Sequence, residues 1–249
     1  MTGVAKSRFD RGAQWVPGPS TPRLAINELH VWLADLSCAA ERDLSQLPRA
    51  ERERASRFAR AGKGRLWARA HSVLRALLGA YLEADPGAIR IGADINGKPL
   101  LAAPRHGDGI VFNLSHSGPY ALYAFTPTGA VGIDIELARR PIDDVAVARR
   151  AFGPAFAERL RGVDRVTRRA ELLVAWTRHE AIAKCAGVGI WRRSPEATKP
   201  AVAESDAMTR RPWVAELAMG AGAFGAVAAQ TPPRALICWS WPPEDRDRG

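Results

Sequence analysis

Val131-Gly132-Ile133-Asp134-Ile135-Glu136 is the stretch from which the fold of this 249-residue chain is read outward. Apolar and acidic residues alternate in it. A strand has a side-chain period of two, so Asp134 and Glu136 share one face while Ile133 and Ile135 take the other. The ordinary reading is a strand with acids on its solvent side. A second stretch, Trp176-Thr177-Arg178-His179-Glu180-Ala181-Ile182-Ala183-Lys184, changes the weight of the first. It reads as helix, where Glu180 and Lys184, four apart, are neighbours with the acid on the N-terminal side, the better order for an ion pair. Three carboxylates and a lysine on two rigid elements can hold a hard divalent cation and a phosphate together. Mg²⁺ is usually bound by one or two carboxylates plus substrate phosphate oxygens.

Working outward from residue 131, Ile110 to Leu114, Ala121 to Phe125 and Val131 to Glu136 read as three short strands, with Asn96-Gly97-Lys98-Pro99 a strong turn upstream. Phe112-Asn113-Leu114-Ser115-His116-Ser117 crowds polar side chains at the end of one of these strands, where a ligand-facing loop would start. Glu28 to Leu33 alternates like a strand, Leu36 to Leu47 reads as a short helix or loop, and Ile89 to Ile91 as a short strand. Between Arg49 and Leu82, apolar residues recur at helical spacing (Phe58, Leu66, Ala70, Val73, Leu74, Leu77, Leu78, Tyr81), with Gly62 and Gly64 expected to split the run into two helices. Downstream, Asp143 to Phe152, Pro154 to Leu160 and Val166 to Ala186 read as helices, the last ended by Gly187 and Gly189. Trp213 to Ala218, Ala223 to Ala229 and Leu236 to Trp241 read as strands. Helices and then antiparallel strands, twice over, predict an α+β pseudo-dimer of two similar halves, each a small antiparallel sheet packed with helices. The expected division is a flexible arm over 1–23, a first half over 24–130, a second half over 131–241 and a polar tail over 242–249.

Composition bounds the function. Hydrophobic residues make up 47% of the chain, enough for a core. Cys38, Cys185 and Cys238 are too few and too far apart for a disulfide framework or a zinc site, which suits a reducing cytoplasm. No signal peptide is visible, and no run approaches the ~20 apolar residues of a membrane span. The formal net charge is +10. It is concentrated between Arg49 and Arg75, where nine Lys or Arg face two acids, Glu51 and Glu53. Such a balance suits a polyanionic small molecule, an acidic protein or nucleic acid.

Asn-Gly-Lys-Pro, Phe-Asn-Leu-Ser-His-Ser, Gly-Ile-Asp-Ile-Glu and Trp-Thr-x-x-Glu-x-x-x-Lys, in this order, resemble the 4′-phosphopantetheinyl transferases, and the length and two halves resemble their larger, surfactin-synthetase-activating type. The resemblance covers roughly residues 28–241. It implies a monomeric, cytoplasmic enzyme that moves the phosphopantetheine arm of coenzyme A to a serine of an apo acyl or peptidyl carrier protein, with Mg²⁺ as cofactor and adenosine 3′,5′-bisphosphate as product. It implies that Asp134, Glu136 and Glu180 bind the metal, that Glu180 is the general base for the serine, and that Lys184 contacts the pyrophosphate and stabilises the leaving group. It implies that Lys98, Ser115 and His116 bind the coenzyme, with His116 near the 3′-phosphate and Arg54 and Arg65 beside it. Two positions depart from the pattern. His179 stands where the family often has lysine, and Glu51 lies where a lysine is expected.

The carriers of such pathways are typically acidic, which suits the basic charge of this chain, and Val188, Ile190 and Trp191 after the catalytic helix are expected to add an apolar docking surface. The reading from another class is a basic nucleic-acid-binding protein without activity. That reading accounts for the charge but leaves the acids idle, and the chain has no zinc, RRM or helix-turn-helix signature. A third reading, a degenerate relative that only binds, is opposed by the presence of Asp134, Glu136, Glu180 and Lys184 together.

Overall fold

The computed structural model describes residues 15–37, 47–102, 109–139, 142–187, 211–220 and 222–242. The expected loop or helix at 36–47, most of the N-terminal arm, Gly189 and the docking residues Val188, Ile190 and Trp191 lie wholly or mainly outside them. In chain order the elements are β1 (Val16–Pro17), β2 (Glu28–Asp35), α1 (Arg49–Ser56), α2 (Ala61–Leu82), β3 (Ile91–Ala93), β4 (Pro99–Leu101), β5 (Val111–Ser117), β6 (Tyr120–Thr126), β7 (Val131–Leu137), α3 (Asp144–Phe152), α4 (Pro154–Arg161), α5 (Arg165–Cys185), β8 (Trp213–Leu217), β9 (Ala223–Ala229) and β10 (Ala235–Trp241).

Period-two burial stacks these elements in four layers. On one face of the first sheet, Trp32, Ala34, Phe112, Tyr123 and Phe125 pack against Val73, Leu74, Leu77 and Leu78 of α2. On its other face, Leu29, Val31, Leu122 and Ala124 meet Val131, Ile133, Ile135 and Val227 of the second sheet. Beyond that sheet, Ala226 and Ala228 of β9 turn outward to Ala181 and Cys185 of α5. The order is therefore α2, first sheet, second sheet, α5, a mixed α+β architecture of two halves. A buried polar chain ties α2 to β2. Tyr81 Oη accepts from Trp32 Nε1 (2.9 Å) and bonds His30 Nδ1 (2.8 Å), while His30 Nε2 meets Glu28 Oε2 (3.2 Å).

The first sheet runs β1-β10-β2-β6-β5 and the second β7-β9-β8, with β3 and β4 a separate hairpin. In the first sheet β5, β6 and β2 pair antiparallel, but β10 pairs parallel with β2, Trp239 opposite Trp32. The last strand, read as part of the second half, thus completes the first sheet and makes it mixed rather than purely antiparallel. The alternation of a strand gives the face it buries and not the edge it joins. The end of the supposed arm is also tied down. Val16 and Pro17 pair with Trp239 and Ser240, and Trp15 Nε1 donates to Ala218 O (2.6 Å).

The split between α1 and α2 falls at Arg57–Arg60, with Gly62 and Gly64 inside the first turn of α2. The glycines do a different job from the breaking expected of them. A Cβ on Gly64 would collide with the Ala55 carbonyl, so its bareness lets α1 cross the start of α2. Helix α5 begins with the carboxylate of Asp164 accepting from the amides of Val166 and Thr167. No described helix is long and apolar enough to cross a membrane.

Gly132 is a point of close approach between α5 and the second sheet. A Cβ there would overlap the Ala181 carbonyl oxygen and the Cys185 amide nitrogen and lie 2.9 Å from the Lys184 carbonyl carbon. Backbone cannot swing aside as a side chain does. Gly132→Ala is therefore expected to cost about 1–3 kcal/mol, read as a lower melting temperature by about 2–4 °C per kcal/mol for a chain of this size. An unchanged melting temperature would show that α5 slides along the sheet freely.

Candidate active site

Strands β5 and β7 are edge strands of their sheets, and they lie side by side where the two halves meet. Alternate residues of β5 reach across the seam. Asn113 Oδ1 accepts from the Ile133 amide (2.8 Å), Ser115 Oγ donates to Asp134 Oδ1 (2.8 Å), and Ser117 Oγ donates to Glu136 Oε2 (3.1 Å). The expected loop after Leu114 is instead a continuation of the strand to Ser117, and this continuation aligns the rungs. Ser117 is a site residue the sequence reading left without a role. The Asn113, Ser115, Ser117 alternation was its signal.

Helix α5 brings Glu180 and Lys184 to the same place. The Lys184 ammonium spends its three hydrogens on Asp134 Oδ1 (2.6 Å), Ser115 Oγ (3.0 Å) and the Ile133 carbonyl (3.1 Å). The expected helical ion pair between Glu180 and Lys184 is not among the salt bridges of the described residues. The lysine reaches across to β7 instead, where Asp134, Ser115 and the Ile133 carbonyl take its hydrogens. Asp134 is 5% exposed, and its Oδ2 is buried without a hydrogen-bond partner among the described residues.

The electrostatics of the acids are unbalanced. Burial raises the Asp134 carboxyl above its usual range, against the pull of Lys184 and Ser115. Burial and then the charge of Asp134 raise Glu136. Glu180, 4% exposed, is pushed up to about 7 by burial, with Asp134 and Glu136 adding to the rise and Lys184 opposing it. Glu136 and Glu180 thus both feel the charge of Asp134, and one lysine does not compensate three carboxylates. Among the described residues no three of His, Cys, Asp or Glu close into a ligand cluster. The donor set nevertheless fits a hard cation, because such an ion takes one or two carboxylates with phosphate oxygens and Asp134 Oδ2 is a carboxylate oxygen with no partner among the described residues.

The remaining candidates are dispersed around this seam. His116, next to Ser115, is on the opposite face of β5, the face whose Phe112 packs against α2. Arg54 lies over the Trp67 ring, 5.2 Å from its centre. Arg65 is exposed on α2, and among the described residues no contact joins it to the others. Lys98 gives two ammonium hydrogens to the carbonyls of Val131 (2.7 Å) and Lys184 (2.9 Å), and Asn96 Nδ2 donates to Gly187 O (2.6 Å). The Asn-Gly-Lys-Pro turn therefore caps the C-terminal carbonyls of α5, groups that otherwise lack partners. His179 is turned away, its ring edge-on to Phe152 with centroids 5.8 Å apart. A cavity of about 600 Å³ opens beside Glu136 and Ser117, walled by Ile142, Leu172, Leu173 and Trp176.

Residues 35–128 match the family model of the 4′-phosphopantetheinyl transferase N-terminal region, and residues 130–215 that of the 4′-phosphopantetheinyl transferase superfamily. The 4′-phosphopantetheinyl transferase HetI of Nostoc sp. is 34% identical over 186 residues, 71% of this chain and 76% of that protein. A putative 4′-phosphopantetheinyl transferase of Synechocystis sp. is 27% identical over 165 residues, 64% of this chain and 65% of that protein. A phosphopantetheinyl transferase of Thraustochytrium sp. is 34% identical over 101 residues, 38% of this chain and 33% of that protein.

Proposed function

This chain belongs to the 4′-phosphopantetheinyl transferase superfamily, and on that premise we propose that it takes the phosphopantetheine arm from coenzyme A, attaches it to a serine hydroxyl of an apo acyl or peptidyl carrier protein, and releases adenosine 3′,5′-bisphosphate. The observation that carries this reading is the knot of Lys184, Asp134 and Ser115 beside Glu136 and Glu180 at the seam of the halves. Both halves of one chain contribute to it, which favours action as a monomer.

In this reading the coenzyme straddles the end of β5. Its pyrophosphate lies on the α5 side, by Ser115 and Lys184, and its 3′-phosphate on the α2 side, by His116 and Arg54. Asp134, Glu136 and Glu180 would hold a Mg²⁺, and its positive charge would offset that of the pyrophosphate. Glu180 accepts the proton of the carrier serine as the oxygen–phosphorus bond forms. The bond from that phosphorus to the bridging oxygen breaks, and the charge goes to the departing bisphosphate. Lys184 faces that charge. Lys98 and Asn96 fix the end of α5, and with it the height of Lys184 above β7. The cavity beside Glu136, where Leu172, Leu173 and Trp176 share the wall with Arg139 and Arg169, receives the arm.

The direct test is incubation of the chain with coenzyme A, Mg²⁺ and a panel of acidic apo-carrier proteins, read by intact mass. A gain of one phosphopantetheine per carrier, with an equal amount of adenosine 3′,5′-bisphosphate, is expected. A folded chain that modifies none of the panel overturns the reading.

A further inference from the structure

Beyond the acidic seam, a second set of polar groups gathers on the far side of β5. Helix α1 buries no side chain, yet it is held against α2 by one buried ion pair. Arg75 Nε and Nη2 donate to the two carboxylate oxygens of Glu51 (2.9 and 2.8 Å), and its Nη1 donates to the carbonyls of Pro86 (2.9 Å) and Ile89 (2.8 Å). Arg75 is thereby committed to protein partners. The departure at Glu51 has a structural purpose: the carboxylate clamps α1, and α1 carries Arg54 over the indole of Trp67. His71 stacks on the same indole, with centroids 3.8 Å apart and planes 26° apart.

His71 is 8% exposed, and its Nδ1 is buried with no hydrogen-bond partner among the described residues. A buried polar atom left unpaired costs about 1–3 kcal/mol, so one that persists in an otherwise satisfied region asks for a partner. The charges that reach the ring are those of Glu51, Arg54, His116 and Arg75. Burial, opposed by Glu51 and aided by Arg54, His116 and Arg75, pushes His71 down to about 4, so at neutral pH the ring is uncharged and one nitrogen carries a hydrogen.

We propose that His71 is a coenzyme-binding residue whose Nδ1–H donates to the nucleotide phosphate held beside Arg54 and His116. The inference rests on the function proposed above. Ser115 and His116 are adjacent in β5 and so face opposite sides. Ser115 belongs to Lys184 and the pyrophosphate side, which leaves the separate 3′-phosphate for the His116 side, where His71 lies. A phosphate oxygen only accepts, so it suits a ring nitrogen that donates. Glu51 acts on this site as a positioning residue, through Arg75.

The test compares coenzyme A with dephospho-coenzyme A, which lacks only the 3′-phosphate, by calorimetric titration of the full chain. His71→Phe keeps the stack on Trp67 without the donor. It is expected to weaken coenzyme A about tenfold, the size of one hydrogen bond to a charged group, and to leave dephospho-coenzyme A unchanged. His71→Asn keeps a donor near the position of Nδ1 and should restore the preference to within about threefold of wild type. A His71→Phe chain that still favours coenzyme A as wild type does overturns the assignment. If that variant fails to fold, the Nδ1 nitrogen resonance of His71 in the wild type decides: it should move with coenzyme A and not with the dephospho compound, and no difference between the two overturns the assignment. Failure of the functional reading shows itself differently, as a wild-type chain that binds neither compound.

Discussion

Asp134→Asn is expected to lower phosphopantetheine transfer by about 10²–10³-fold, the loss seen when one preorganised charged or polar group is removed from a reacting centre, while the melting temperature stays close to that of wild type. The two halves of this expectation come from the same geometry. Asparagine has the shape of aspartate, and an amide oxygen placed at Oδ1 still accepts from Ser115 Oγ and Lys184 Nζ. The fold loses the charged partner of Lys184, but that lysine is partly exposed and burial already penalises the Asp134 charge, so the two effects largely offset. Function loses the anionic Oδ2, the one buried carboxylate oxygen at the seam with no partner among the described residues. Activity and melting temperature should therefore separate. Turnover within fivefold of wild type at millimolar Mg²⁺ would remove Asp134 from the metal set, and a collapse of both readouts together would make it a structural residue.

The faces of the elements were legible in the chain, and their partners were not. Ile133 and Ile135 lie between the sheets while Asp134 meets the lysine of α5, as alternation requires. Helix α5, read as Val166 to Ala186 and ended by Gly187, falls within a residue of its observed bounds at either end. Pairing depends on long-range contacts, and there the reading went astray. Lys184 is one helical turn from Glu180, yet a carboxylate on β7 takes it. Lys98 sits in a motif associated with coenzyme binding, yet its ammonium goes to two carbonyls at the end of α5 and the start of β7. Strand β10 has the alternation of any strand, and only the assembled sheet shows that it belongs beside β2. The basic run from Arg49 to Arg75 looked like one surface. It contains one arginine buried in a clamp, one over an indole and one fully on the outside. Burial, which decides what a charge does, is not written in a run of charges.

Lys184→Met is expected to lower kcat by about 10²–10³-fold while KM for coenzyme A changes by less than about threefold. Methionine keeps much of the length and volume of lysine, so α5 keeps its packing on β7 and Gly132 keeps its close contact with the helix backbone. The change is the loss of a cation whose three hydrogens are aimed at Asp134, Ser115 and the Ile133 carbonyl. Those partners hold it in place before any substrate arrives. A preorganised charge of this kind acts most where charge is greatest, and the departing bisphosphate is more negative in the transition state than in bound coenzyme A. In the proposed reading, ground-state affinity comes from elsewhere, namely Arg54, His116 and the cavity beside Glu136. A simple contact with the bound pyrophosphate would give the opposite pattern, with KM raised about tenfold and kcat untouched. Lys184→Arg separates charge from geometry. A guanidinium retains the charge but presents it as a flat fork, and the present ammonium reaches three acceptors that are not coplanar partners of one carboxylate. Partial recovery of kcat by arginine, above methionine and below lysine, is the expected order. Equal kcat for arginine and methionine would mean that the position of the ammonium matters and its charge alone does not.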